Sequence, residues 1–400
     1  MKFLFLVLSF FLFFSCSENQ TSVSAKEIAQ NVLILDSHID VPYRLWNQHL
    51  EGLEIDDISG STKGDFDFIR AKKGGLNVPF FSIYLPASTQ SDGTSHKMAN
   101  ELIDLVEDIV TLHPDKFFLI KSTQDIKTLQ KKSVVGIALG MENGAPIEGD
   151  LSRVQYYFDR GIRYITLTHS KTNHISDSSY DENIQWHGLS EFGKNLIGEM
   201  NRVGIMIDIS HVNDEAFYQA IEISEAPVIV SHSSLRHFTP GFERNVDDAM
   251  LSKLAEKGGV LQINFGSSFI SQRSRNYSTA MEEFLQEKFG EDRSNLSEEI
   301  INEARREFVY ENEYPFATLD EVLDHFDRVV SLVGINHVGI GSDYDGVGDT
   351  LPVGLKDVSS YPNLIQGLLE RGYSQKDIEK ILGGNLMRVW RQVEEYASRY

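Results

Sequence analysis

Val32-Leu33-Ile34-Leu35-Asp36-Ser37-His38-Ile39-Asp40 runs from four apolar residues straight into carboxylate and imidazole side chains. An unbroken apolar run suits a strand buried on both faces, as parallel strands are. In a parallel α/β barrel the reactive groups gather where strands end, so the polar tail of this stretch is the place to look for chemistry. His38 and Asp40 stand two apart and project from one side of an extended chain. One imidazole and one carboxylate make a half-site for a borderline metal ion.

The same unit recurs along the chain. Further short apolar runs lie at Val78–Leu85, Val134–Leu139, Tyr164–Leu167, Ile205–Ile209, Val228–Val230, Val260–Ile263 and Val338–Ile340. Helical or irregular stretches separate them. Residues 193–202, 250–257, 319–333 and 377–396 carry apolar side chains at helical spacing, and Gly204 and Gly258 punctuate two of these segments. Strands alternating with helices favour a parallel α/β architecture. Eight runs is the number that closes a parallel barrel, so the expected fold is a (β/α)8 TIM barrel over residues 30–400. Residues 271–314, between the seventh and eighth runs, are rich in charge and suggest two helices. They read equally as a lid over the strand ends or as a decorative excursion.

Several other runs end in groups of the same chemical kind. Glu142 follows the third, His169 the fourth, Asp208 and His211 the fifth, His232 the sixth, and Asp343 the eighth. Four of the 12 histidines thus stand at exits of buried strands, and for the set as a whole a functional reading outweighs that of satisfied core residues. His174, His187 and His237 lie in loops near the expected mouth. No Gly-x-Ser-x-Gly elbow, phosphate-cradling glycine loop or dinucleotide turn is present.

The chain has 37 basic and 59 acidic residues, for a net charge of -22. Such an excess argues against a nucleic-acid partner, whose phosphates call for a basic surface. At the N-terminus, Met1-Lys2 precedes the apolar run Phe3–Phe14 and then Ser15-Cys16, which reads as an export signal over residues 1–15, too short to span a bilayer. Cys16 is the only cysteine, so no internal disulfide can form. Its position resembles the lipobox of bacterial lipoproteins, where the cysteine is lipidated; an ordinary secretory signal is the competing reading. Residues 16–29 would then form a polar tether between a membrane anchor and the barrel, and the protein would sit in the cell envelope on a bacterial membrane.

With these residues assembled, the chain resembles the membrane dipeptidase (renal dipeptidase) family of zinc peptidases from about Val32 to Val393. The matching blocks are Asp36–Asp40, Tyr164–His169, Gly188–Gly193, Asn201–Val212, Pro227–Ser234, Arg244–Val246, Gly339–Gly346, Asp357–Pro362 and Gly384–Leu386. The resemblance implies a barrel of the metal-dependent hydrolase type with two zinc ions. His38 and Asp40 would hold one ion, His211 and His232 the other, and Glu142 would bridge them. Asp343 would be the acid/base residue, His169 would contact the reacting carbonyl, and Arg244 would bind the substrate's carboxylate. The implied reaction is hydrolysis of dipeptides, including ones with a D-residue at the second position, by a hydroxide shared between the metals. Members of the family often dimerise, and the sequence leaves the oligomeric state open. Three features depart from the family pattern: Asn143 stands before Gly144 where a second glycine often follows the glutamate, no tryptophan follows His169, and residues 271–314 are longer than in mammalian members.

A lactonase, deaminase or phosphotriesterase on the same barrel is the main alternative. Many such enzymes bridge their metals with a modified lysine at a strand end, and here the nearest is Lys171, two residues past His169. A non-catalytic, peptide-binding lipoprotein is the third reading.

Overall fold

The computed structural model describes residues 24–129, 133–291, 293 and 296–400. The expected signal, Cys16 and most of the expected tether lie outside the described residues. Among the described residues, nine strands form: β1 (Ile34–Ile39), β2 (Leu76–Tyr84), β3 (Phe117–Leu119), β4 (Val135–Glu142), β5 (Ile162–Thr166), β6 (Met206–Asp208), β7 (Ile229–Ser233), β8 (Val260–Ile263) and β9 (Val338–Ile340). Eight pair in parallel in the order β1-β2-β4-β5-β6-β7-β8-β9, and β3 is a side strand on β4. β3 is too short for its apolar content to stand out from a loop.

The strands curl into a nearly closed barrel, and the seam between β9 and β1 is made just past their ends. There the Asp343 amide donates to the His38 carbonyl at 3.0 Å, and the Asp40 amide to the Tyr344 carbonyl at 2.9 Å. Closure therefore depends on the segments that carry His38, Asp40 and Asp343.

Burial explains where apolarity misjudged the strand limits. β1 continues through Asp36, Ser37 and His38, all of them buried, and hydrogen bonds satisfy the side chains of Asp36 and Ser37. Asp36 accepts from the amides of His38 (3.1 Å) and Ser342 (3.0 Å) and from the Tyr361 hydroxyl (2.6 Å). The expected helices form at Glu191–Val203, Asp248–Glu256 and Leu319–Val333. The last begins with a capping box of Thr318 and Glu321, and buries Val322, Leu323, Phe326 and Val329 at helical spacing.

Two expectations need correction. The stretch expected as tether up to residue 29 ends in a helix, Ala25–Asn31, capped by Ser24 and Glu27, whose Ala25, Ile28 and Ala29 are buried. The single helix expected over 377–396 is interrupted. Gln375–Glu379 leads into a wide turn at Lys380–Gly384 with an extended Gly383, and Asn385–Ala397 follows.

That last helix plugs the bottom of the barrel. Trp390 is fully buried, its ring 5.3 Å from Phe80, and Phe80 lies 5.6 Å from Tyr164. Gly140 makes room for the Tyr164 ring, since a Cβ there would come within 1.9 Å of it. The Tyr164 hydroxyl reaches His38 Nδ1 at 2.7 Å. One column of packed rings thus links the closed end of the barrel to the first histidine of its mouth.

The excursion over 271–314 contains the two expected helices, Gln272–Phe289 and Glu298–Glu311. Arg273 bonds the Phe316 carbonyl and Glu321, and the Arg275 guanidinium covers the Phe242 ring.

Candidate active site

At the mouth lies a cavity of about 850 Å³. Asp40, Glu142, His169, His211, His232, Arg244 and Asp343 line it, and His38 sits fully buried beneath them. The residues to which the family resemblance gives a site role, His38, Asp40, Glu142, His169, His211, His232, Arg244 and Asp343, therefore meet at one rim. His174, His187 and His237 do not line the cavity, and none of the described residues of 271–314 does.

Glu142 is the centre of the arrangement. Its Oε2 lies 3.3 Å from His38 Nε2 and accepts from the Ser82 hydroxyl at 3.2 Å. Its Oε1 lies 3.0 Å from His211 Nε2, 3.2 Å from His232 Nε2 and 3.5 Å from His169 Nε2. The two oxygens thus face two different sets of nitrogens. His38 Nε2 is also 3.5 Å from Asp40 Oδ2. His211 and His232 point their Nε2 atoms at one another across 2.8 Å.

Three overlapping groups have ligand atoms within 4.8 Å of one another: His38, Glu142 and His232; Glu142, His169 and His211; and His38, Asp40 and Asp343. His232 stacks on His38 with ring centres 3.7 Å apart, which draws it into both halves of the cluster.

The surroundings prepare these groups as ligands. Ser231 donates to Asp208 at 2.6 Å, so its hydroxyl oxygen accepts from His232 Nδ1 at 2.8 Å and leaves Nε2 with its lone pair toward Glu142. Burial pushes the His211 and His232 imidazoles well below the ordinary histidine range, which keeps them neutral as metal ligation requires. Burial alone would raise the Glu142 carboxyl. The charges of the His38 and His169 imidazoles outweigh it and hold the group ionised. His38 Nε2 and Asp40 Oδ1 are buried with no hydrogen-bond partner among the described residues. Buried polar atoms left that way are costly, and a cation between them would satisfy both.

Asp343 stands beside His38 and Asp40, with a carboxylate oxygen within 4.8 Å of their ligand atoms. Asn264 Nδ2 donates to its Oδ2 at 2.6 Å, and burial beside Asp40 pushes its carboxyl up to about 8. A carboxyl in that range can exchange protons near neutral pH. Arg244, 3 % exposed, bonds His232 O at 2.8 Å and His211 Nε2 at 2.9 Å through Nη2. Its Nε and Nη1 are buried and have no partner among the described residues.

Non-glycine residues with positive φ concentrate at the strand exits: Asn143 (81°), His211 (68°), Asp343 (64°) and Asp345 (64°). Such backbone persists where surroundings over-determine it, which is common at functional sites.

The sequence reading overlooked several contributors. Tyr164 and Asn264 orient His38 and Asp343, and Tyr84 and Tyr180 pack their rings against His169 (4.8 Å) and His211 (6.0 Å). Tyr43, Arg44, Asn47, Gln48 and Glu51 form one wall beside Asp40. Their helical spacing along and just past the helix Val41–Leu50 was the available signal. Lys171 is 61 % exposed at its side chain and pairs with Asp181 at 3.3 Å. Among the described residues, no lysine lines the cavity.

A barrel whose strand exits converge histidines and carboxylates on one shared glutamate defines the class of metal-dependent TIM-barrel hydrolases. The family model described as membrane dipeptidase (peptidase family M19) matches residues 23–400. This chain belongs to that family and is a metallo-dipeptidase. It is 32% identical over 383 residues to an uncharacterised dipeptidase of Schizosaccharomyces pombe, covering 92% of this chain and 82% of that protein. It is 30% identical over 389 residues to dipeptidase 3 of Mus musculus, covering 96% of this chain and 69% of the mouse protein. The crystal structure of the probable dipeptidase PvdM from Pseudomonas aeruginosa superposes with a TM-score of 0.80 at 27% identity, covering 93% of this chain and 98% of that one.

Proposed function

We propose that the protein hydrolyses dipeptides with two zinc ions, one held by His38 and Asp40, the other by His211 and His232, and both by Glu142. The observation that carries this reading is the division of Glu142, whose Oε2 faces His38 while Oε1 faces His211 and His232. A nitrogen and oxygen donor set of this kind suits zinc. Zinc ions bound there would supply hydroxide at neutral pH and polarise the scissile carbonyl.

The chain's own residues do the remainder. Asp343 takes a proton from the attacking water and hands it to the leaving amine. His169 donates to the oxyanion as it develops. The unpartnered Nε and Nη1 of Arg244 bind the substrate's free carboxylate, and a planar guanidinium suits that geometry. Placing that anchor beside His211 limits the chain length that can reach the reacting position, which favours dipeptides over longer peptides. The lactonase and deaminase alternative is disfavoured because no lysine among the described residues stands along the cavity wall, where Glu142 occupies the bridging position.

The decisive experiment measures metal content and turnover together. Purified protein should contain close to two zinc ions per chain, hydrolyse L,L-dipeptides and ones with a D-residue second, lose activity to a chelator and regain it with zinc. Tripeptides should be poor substrates. Survival of every dipeptide in a varied panel with zinc-loaded protein overturns the reading.

We further propose export and lipidation at Cys16, supported by the run Phe3–Phe14 before it. Mass spectrometry of protein taken from bacterial membranes should find acyl chains on Cys16; an unmodified cysteine there refutes it.

A further inference from the structure

Asn143 directly follows Glu142. It is fully buried at φ 81°, a left-handed backbone that glycine adopts freely and asparagine tolerates. Glycine would make this turn with no side chain at all, so what the asparagine adds is its amide.

Every hydrogen-bonding capacity of that amide is used. Nδ2 donates to the Leu85 carbonyl at 3.1 Å and to Gln90 Oε1 at 3.0 Å. Oδ1 accepts from the Ala145 amide at 3.2 Å and from Asn173 Nδ2 at 3.1 Å. The Asn173 amide is likewise saturated. Its Nδ2 also donates to the Leu167 carbonyl at 2.9 Å, and its Oδ1 accepts from the amides of Ile175 (2.7 Å) and Ser176 (3.1 Å). The Leu85 amide in turn donates to the Glu142 carbonyl at 3.1 Å.

Two side chains therefore tie three neighbouring strand exits together. The exit of β2 follows Tyr84, that of β4 follows Glu142, and that of β5 leads from Leu167 to His169. Neither asparagine lines the cavity. We infer that the Asn143–Asn173 amide pair is a positioning device, fixing His169 and Tyr84 relative to Glu142 so that the reacting carbonyl meets a preset donor. A fully satisfied buried polar network is rigid, and loss of one member leaves the others unpaired. The inference rests on the roles proposed above for His169 and Glu142.

The test compares Asn143→Gly, which keeps the backbone conformation and removes only the amide, with Asn173→Ala and the double variant, all zinc-loaded. Far below each variant's melting temperature, kcat on a dipeptide should fall roughly 10- to 100-fold with KM changed less than about threefold, the split expected when a contact made only in the transition state is disturbed. Because the pair acts as a unit, the double variant should be no worse than the poorer single one. Hydrogen exchange should quicken in residues 167–176 in each variant.

A merely stabilising pair predicts a lower melting temperature with kcat within twofold of the parent, and that result overturns the inference. So does unchanged exchange across 167–176. A parent protein that turns over no dipeptide defeats the function proposed above, while the exchange measurement still decides whether the amide pair fixes these loops.

Discussion

The backbone amide of Asp343 donates to the carbonyl of His38 at 3.0 Å, so the seam that closes the barrel also fixes a buried imidazole against a buried carboxyl. Structural closure and site geometry are one set of bonds. A disturbance of the seam should therefore reach the chemistry before it reaches the fold.

Gly346 gives a direct way to apply one. A Cβ at this position would lie 2.2 Å from Asp40 Oδ2 and 2.3 Å from Asp343 Oδ1. Both carboxylates must shift to admit it, by more than a catalytic geometry tolerates. Gly346→Ala should lower kcat/KM by about a hundredfold or more, because a displacement near 1 Å costs on that order. Kinetics and bound-zinc analysis check this, and activity within threefold of the parent would show that the two carboxylates have freedom to move.

Asp343→Asn removes an ionisable proton carrier and leaves the nitrogen and oxygen donors of His38, Asp40, Glu142, His211 and His232 in place. Turnover should drop by roughly 100- to 10,000-fold, the usual worth of a general acid–base group. Bound zinc, measured on the same sample, should stay near the parent value, whereas His211→Ala should lose metal from one site. Full turnover in the asparagine variant removes Asp343 from its role.

Arg244→Ala takes away a buried guanidinium whose Nε and Nη1 have no partner among the described residues. Losing a charge-assisted bond of this type costs about 2–3 kcal/mol, so KM for a dipeptide should rise roughly 30- to 150-fold. A dipeptide amide, lacking the carboxylate, should be turned over equally badly by parent and variant. Steady-state kinetics with the matched pair of substrates makes the comparison.

His325 should shape the acid stability of the protein. It is fully buried, accepts the Leu235 amide at Nδ1 (3.1 Å), donates from Nε2 to the Ile270 carbonyl (3.1 Å), and burial pushes its imidazole down to about 4. The folded protein thus binds fewer protons here than the unfolded chain, whose histidine titrates near 6.5. This contribution is fully present above the unfolded value and fades as pH falls from 6.5 towards 4, reaching a loss of about 3 kcal/mol below that. His325→Gln can make both bonds without titrating. Urea melts at pH 7 and pH 4.5 should show a smaller stability loss for the variant than for the parent; equal losses would show that His325 is protonated without penalty.

Strand positions at β8 and β9 were legible to the residue, because these short runs are mostly apolar and flanked by glycine or polar residues. The limits of β1, β4 and β7 were not, because those strands continue through Asp36–His38, Gly140–Glu142 and Ser231–Ser233, whose burial apolarity cannot announce. The short β3 and the helix Ala25–Asn31 escaped for a related reason: packing against β4 and the barrel wall stabilises them more than their own pattern does.

Within the site, the residues at strand exits could be named from sequence because a parallel barrel brings all such exits to one face. Tyr164 and Asn264 could not. Tyr164 lies inside an apolar strand run, and what matters is that Gly140 opposite leaves space for its ring. Asn264 looks like any loop asparagine until it is seen 2.6 Å from Asp343.

Composition and periodicity thus determined by themselves the architecture and the chemical character of the mouth, since side-chain period and strand count are local properties that the chain carries wherever it goes. Only the tertiary structure decided which oxygen of Glu142 faces which histidine, and that Asn143 ties Leu85, Gln90 and Asn173 together. Those are distances between residues tens to hundreds of positions apart, and they exist only after the barrel has closed.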